Sequence, residues 1–321
     1  MKPARGRRWQ RVRRIAFFVF LTGVALLLVR YGRSVDWAQV GATLSGYSAA
    51  TLAAAAALAA CSYLLYSGFD LAARRYARHA LPAAKVMAIS VIAYIFSLNL
   101  GALVGGAAFR YRLYARAGLG VGTISRIVGF AIATNWMGYL LLAGVLFVSG
   151  QVRVPANWPV GATRLPWLGA AMLSLVAGYL VACHVARGRV LHLRRRHFRL
   201  PSPALALLQL VLASANWALM GALLFVLMPS GATYPAVLAA LLVAAIASAV
   251  AHIPAGVGVL EAVFIPLLGH QVPAPQVLAA LLAYRACYYL GPLLAAIAGY
   301  AVLETRRRRD AMPHGDPRPG P

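Results

Sequence analysis

The sequence predicts an all-α polytopic membrane protein, an inverted repeat with about three spans and one re-entrant broken helix per half, eight or more helical segments in all. Three observations predict it. Of the 321 residues, 62% are apolar and 12% charged, against about 45–50% and about 25% in a soluble domain. The apolar residues fall in long continuous runs, which form helices rather than the alternating strands of a barrel. The 31 Lys and Arg, against 6 Asp and Glu, sit in short clusters between those runs, where they orient a membrane protein. A mean hydropathy of +0.74 excludes a soluble enzyme, a disordered chain and a secreted module. It also makes nucleic acid a poor explanation of the basic excess.

The elements follow in order. Residues 1–14 form a basic N-terminus with Lys2 and six arginines. Residues 1–29 imitate a signal peptide, but Arg30, Tyr31 and Arg33 stand where a small-residue cleavage site belongs. Residues 15–31 are therefore read as a retained first span. Further apolar runs cover 47–70, 86–108, 122–149, 166–185, 203–228, 235–251, 257–269 and 276–303. A crossing needs about 20 apolar residues. The run 257–269 is too short, and so is 107–117, which carries Arg110, Arg112 and Arg116.

The bases then decide the topology. With the N-terminus cytoplasmic, the first span exits and 47–70 returns to Arg74, Arg75, Arg78 and Lys85. A full crossing at 86–108 would leave Arg110, Arg112, Arg116 and Arg126 outside, against the positive-inside rule. A dip that breaks at Gly101, Gly105 and Gly106 keeps all four inside. Run 122–149 exits, 166–185 returns to the basic loop from Arg187 to Arg199, and 203–228 exits again. A second dip, 235–269, enters and leaves from the outer face, and 276–303 returns to Arg306–Arg309. This places 26 of the 31 bases inside, with six full crossings and two dips. The chain is one membrane domain, 15–305, followed by a cytoplasmic tail, 306–321.

Both halves, about 15–149 and 166–303, read as span, span, Gly-broken dip, span. Three crossings per half is an odd number, so the second copy stands inverted, with its broken helices meeting the first copy's near mid-depth.

Charge in hydrocarbon is costly, which singles out Glu261, in the second break, and Arg285, inside the last span. Having opposite sign, they are expected to pair or to share a water-filled cavity. A buried pair that only fixes helix register is the alternative. Pro254 removes a backbone donor, and Gly256 and Gly258 permit non-helical backbone, so a half-helix begins near Val257 with N–H groups able to hold an anion. Asn99, Gly101, Gly105 and Gly106 stand in the corresponding place of the first half. Gly101 and Gly105 fit close helix packing equally well. Arg110, Arg112 and Arg116 emerge at the inner end of the first dip, where they either collect lipid phosphates or simply anchor the topology. Asp70, beside Arg74, is expected as an exposed pair at the inner interface.

No catalytic set is visible: no HExxH, Ser-His-Asp candidate, paired carboxylates or phosphate loop. Neither enzyme activity, metal nor cofactor is expected. His252 reads as a polar lining or capping residue. Cys61, Cys183 and Cys287 read as small buried side chains, and Tyr63, Tyr66, Tyr288, Tyr289, Trp136 and Trp217 as interface or packing aromatics.

Two stretches carry a resemblance. One runs from Asn99-Leu100-Gly101 through Gly105-Gly106-Ala107-Ala108-Phe109-Arg110-Tyr111-Arg112-Leu113-Tyr114 to Gly118-Leu119. The other is Ile253-Pro254-Ala255-Gly256-Val257-Gly258-Val259-Leu260-Glu261, followed by Tyr284-Arg285. With them the chain resembles, over about residues 10–305, the membrane region of bacterial lysylphosphatidylglycerol synthases, a flippase-like family that includes the multiple peptide resistance factor. Ala255 stands where that family often has Gly. The resemblance implies movement of a lipid between leaflets of a bacterial plasma membrane. The family's best-known members also carry a cytosolic aminoacyl-transferase domain. The tail 306–321 has no room for one, so that activity is not expected here.

The expected function is therefore a lipid translocator that handles anionic headgroups. The alternatives are a secondary transporter of a small anion or drug, and a membrane subunit supporting a lipid- or glycan-modifying enzyme encoded separately. Lipids are the expected partners, with no nucleic acid. Nothing in the sequence specifies an oligomer.

Overall fold

In hydrocarbon each backbone N–H and C=O must be paired within its own segment, so apolar runs of this length fold as helices. The computed structural model describes residues 37–101, 106–152, 161–186, 190–193, 196–251 and 256–296. In chain order they form α1 (Trp37–Ser45), α2 (Ala49–Ala77), α3 (Ala83–Leu100), α4 (Ala108–Arg116), α5 (Val121–Val148), α6 (Leu165–Val185), α7 (Pro203–Leu227), α8 (Tyr234–Ala251), α9 (Val259–Leu268) and α10 (Ala274–Arg285). α10 continues through a π-helical turn, Ala286–Leu290, as one apolar span to Ala296. A short antiparallel ladder, Val190–Leu193 with Arg196–Arg199, lies in the basic loop before α7. The chain is an all-α polytopic membrane protein.

Five expected crossings, 47–70, 122–149, 166–185, 203–228 and 276–303, are α2, α5, α6, α7 and the α10 span. The one at 15–31 lies outside the described residues. α3 has the length and composition of a span too, yet the chain doubles back after it. Gly101 ends it at φ 89°, a left-handed conformation natural to glycine. The returning α4 lies so close that the Phe96 and Phe109 rings stack at 3.9 Å. At Gly106 a Cβ would stand 2.7 Å from Ser97 Oγ and 3.1 Å from Ser97 Cβ, so a larger residue would have to push Ser97 aside.

Packing shows where each hairpin enters and leaves. Ala72, Ala73 and Ala77 at the end of α2 share one buried cluster with Val86 and Ile89 of α3, Tyr114 of α4, and Ile124 and Ile127 of α5. Both feet of the α3–α4 hairpin therefore lie at the end where α2 finishes. At the opposite end the Tyr47 hydroxyl, just before α2, donates to Leu227 O at 2.6 Å, and α7 finishes. There Thr233 N–H donates to Gln271 Oε1 at 3.2 Å, joining both feet of the α8–α9 hairpin. The two hairpins thus penetrate from opposite ends, as an inverted repeat requires. The described bases Arg74, Arg75, Arg78, Lys85, Arg112, Arg116 and Arg126 belong to the first end.

Helix caps mark matching starts of α2 and α7. α2 and α7 each open on a serine, Ser48 accepting from Thr51 N–H and Ser202 from Leu205 N–H. Residues equally far beyond those caps, Ser62 and Asn216, meet: Ser62 Oγ donates to Asn216 Oδ1 at 2.8 Å. Positions equally far from the two caps thus meet between α2 and α7, which run in opposite directions.

Residues 37–45, between the first two apolar runs, form α1, whose Val40 packs on Leu278 and Ala279 of α10. Cys61, expected buried, is exposed, while Cys183 is buried and Cys287 half-buried. Helical phase explains the exposure, because α2 buries Ser62, Tyr63 and Tyr66 toward its neighbours and leaves Cys61 and Leu64 on the outer face.

Candidate functional site

Glu261 is the third residue of α9, reached through Gly256 at φ 58° and Gly258 at φ 80°. These conformations break the helix and let α9 start afresh inside the bundle. Arg285 ends the α-helical part of α10, immediately before the π turn. Its Nη2 donates to Glu261 Oε1 at 3.1 Å, to Oε2 at 3.2 Å and to Gly256 O at 3.1 Å. The side chains are 14% and 13% exposed, so this pair is enclosed but not sealed. Pairing offsets the cost of two charges at this depth, and the backbone carbonyl ties the hairpin tip to α10.

The first hairpin carries a second pair that the sequence did not reveal. Arg110 is the third residue of α4, the place Glu261 occupies in α9. Its Nε lies 3.2 and 3.1 Å from the two Asp70 oxygens, and its Nη2 donates to Oδ1 at 3.1 Å. The Tyr114 hydroxyl donates to Asp70 Oδ2 at 2.9 Å, and the guanidinium carbon lies 5.5 Å from the Tyr66 ring centre. Asp70 has no exposure and Arg110 only 4%. Two expectations are corrected. Arg110 cannot collect lipid phosphates in this arrangement, because its fork is filled by a carboxylate. Asp70 is not an exposed partner of Arg74, because α2 continues for two more turns and carries it inside. Beside this pair, in the turn after α2, burial and then the Arg74 guanidinium push His79 below the usual imidazole range. Arg112 and Arg116 stay exposed at the basic foot.

Between the two pairs lies a buried hydroxyl network, also missed by the sequence reading. Ser62 Oγ and the Tyr94 hydroxyl stand 2.6 and 2.9 Å from the Tyr288 hydroxyl, and the Tyr63 hydroxyl donates to Tyr288 O at 2.9 Å. The Tyr66 and Tyr94 rings stack at 3.5 Å. Asn99, near the tip of the first hairpin, donates from Nδ2 to Ile95 O at 2.8 Å and to Tyr289 O at 3.4 Å. Both hairpins therefore reach one stretch of α10, residues 285–289. Gly105, Pro254 and His252 lie outside the described residues. The described residues contain no group of three or more His, Cys, Asp or Glu able to hold a metal ion.

Two broken-helix hairpins that enter a bundle of apolar spans from opposite ends and close on paired charges define a polytopic membrane protein of the re-entrant-hairpin class. Within that class, the chain belongs to the family described as the lysylphosphatidylglycerol synthase transmembrane region, whose model matches residues 14–296. It is 43% identical over 303 residues to the inner membrane protein YbhN of Escherichia coli, covering 94% of this chain and 95% of that protein. It is 29% identical over 317 residues to the uncharacterized protein slr0712 of Synechocystis, covering 94% and 96%.

Proposed function

We propose that the protein is a lipid translocator of a bacterial inner membrane, moving a phospholipid or related anionic lipid between leaflets. The observation that carries this reading is the convergence of both hairpins on residues 285–289, beside a charge pair that is enclosed but not sealed. A headgroup entering there finds the Arg285 guanidinium, which suits phosphate oxygens. It also finds the first turn of α9, whose N-terminus has no side-chain cap and so offers N–H groups to an anion. Glu261 balances the charge or meets a cationic part of the headgroup. Acyl tails would remain in lipid, leaving only the headgroup to be sheltered from hydrocarbon. The reading assigns the chain no covalent chemistry.

The test is scrambling of labelled anionic and zwitterionic lipids by purified protein in liposomes. At least one headgroup is expected to move faster than in protein-free vesicles, and a set that all move at the background rate overturns the reading.

The positive-inside rule orients the molecule with the feet of the first hairpin, and both termini, on the cytoplasmic side. A cysteine replacing Arg116 is then expected to resist an impermeant thiol reagent in intact cells and to react in inverted vesicles. Labelling from outside intact cells would overturn this orientation.

A further inference from the structure

The described residues contain two carboxylates, Asp70 and Glu261, and their surroundings differ in a way that matters. Asp70 is fully buried and locked by Arg110 and by the Tyr114 hydroxyl. Glu261 keeps 13% of its side chain exposed, and both its oxygens accept from the same nitrogen, Nη2 of Arg285. That nitrogen also donates to Gly256 O. If Glu261 swings away, Arg285 still holds a backbone carbonyl, so parting the pair does not strip the cation of every partner. Gly256 and Gly258, both at positive φ, form the joint on which the ten-residue α9 can turn.

Among the described residues the charged group facing Glu261 is Arg285 of α10, and on the same helix the Tyr284 and Tyr289 rings meet at 5.6 Å. From α8 the neighbour at the joint is neutral: a Cβ at Gly256 would stand 2.9 Å from Ser248 Oγ. From α3, neutral Asn99 reaches Tyr289 O. No second cation among the described residues replaces Arg285 once the pair opens, so an opened Glu261 becomes neutral most readily by binding a proton.

We infer that Glu261 is a proton-exchange site whose protonation releases α9 from α10. Pairing with Arg285 and binding a proton are competing uses of the same two oxygens. In the closed form the carboxylate is ionised and paired. In the open form one proton from water sits on a Glu261 oxygen, Arg285 remains a cation, and α9 is free to move. One opening therefore takes up one proton, and one closing returns it. This deepens the lipid-translocator reading, on which it rests for its purpose, by giving the protein a proton gradient to work against. The site itself can be tested without any lipid moving.

Two measurements on the purified full chain do so. In infrared difference spectra between about pH 5 and about pH 9, a protonated-carboxyl C=O component is expected that is lost in Glu261→Gln. An identical spectrum in the variant overturns the site. The second uses Val263→Cys as a reporter, on the buried face of α9 (Val263 is 7% exposed), with Cys61, Cys183 and Cys287 replaced by alanine. Its alkylation rate is divided by that of the same reporter in the Glu261→Gln background at the same pH. The ratio is expected to approach one in acid and to fall with rising pH by up to about tenfold per pH unit, the limit for one linked proton. A ratio that does not change with pH overturns the inference.

Should Glu261→Gln fail to fold, Arg285→Gln serves in the infrared measurement, because loss of the competing guanidinium must move the Glu261 component to more alkaline pH. An unmoved component again overturns the site. Absence of scrambling with both pH effects intact would remove the lipid reading and leave the proton site standing. Scrambling without either pH effect would remove the proton site alone.

Discussion

Asp70→Asn is expected to cost the folded protein about 3–5 kcal/mol, the range for leaving a buried charge without its counter-ion. Arg110 has 4% exposure and lies at the third residue of a nine-residue helix whose other end is held by Tyr114, so it has little freedom to reach water. The Tyr114 hydroxyl keeps an acceptor in the amide oxygen, but the guanidinium loses its counter-charge. The measurement is thermal unfolding in detergent, alongside the yield of folded protein. The double replacement Asp70→Leu with Arg110→Met is expected to recover most of the loss, because it removes both charges and keeps the volume. An unfolding temperature unchanged by Asp70→Asn would show that the pair does not hold the first hairpin.

Glu261→Gln and Arg285→Gln are expected to do the opposite: each abolishes lipid movement while the protein accumulates near the wild-type level. The physical difference is enclosure. This pair retains access to solvent, its arginine has Gly256 O as a second partner, and α9 is joined through two positive-φ glycines. Losing one charge here is therefore tolerated by the fold but removes the groups that meet a passenger. Scrambling in liposomes together with quantified membrane levels checks the result. Normal transport by both variants would make the pair a mere helix fastener.

The hairpins were legible because two independent signals agreed: glycines that break the helix, and arginines that the positive-inside rule would not allow outside. The Glu261–Arg285 pair was legible because each residue stands alone among apolar neighbours with no other counter-charge nearby. Asp70 was hidden by a boundary. Hydropathy falls at Asp70 and the following arginines, so the run was ended at residue 70, whereas α2 continues to Ala77 on the alanines that follow. Arg110 was hidden by its companions. Arg112 and Arg116 advertise a surface cluster, but on a helix positions 110 and 114 share one face while 112 and 116 lie on the other. That phase, with Tyr114 one turn beyond Arg110, was the available clue. The hydroxyl network had none: tyrosines in a membrane helix read first as packing, and Tyr288 meets Ser62 and Tyr94 from within a π turn that hydropathy does not mark.

The two hairpin arms also differ in a way that fixes which is which. One carries a cation at its third position, Arg110, and the other an anion, Glu261, and each is paired with a counter-ion on a different helix, Asp70 of α2 and Arg285 of α10. Exchanging those two residues would set glutamate against aspartate in one arm and arginine against arginine in the other, so the arms are not interchangeable.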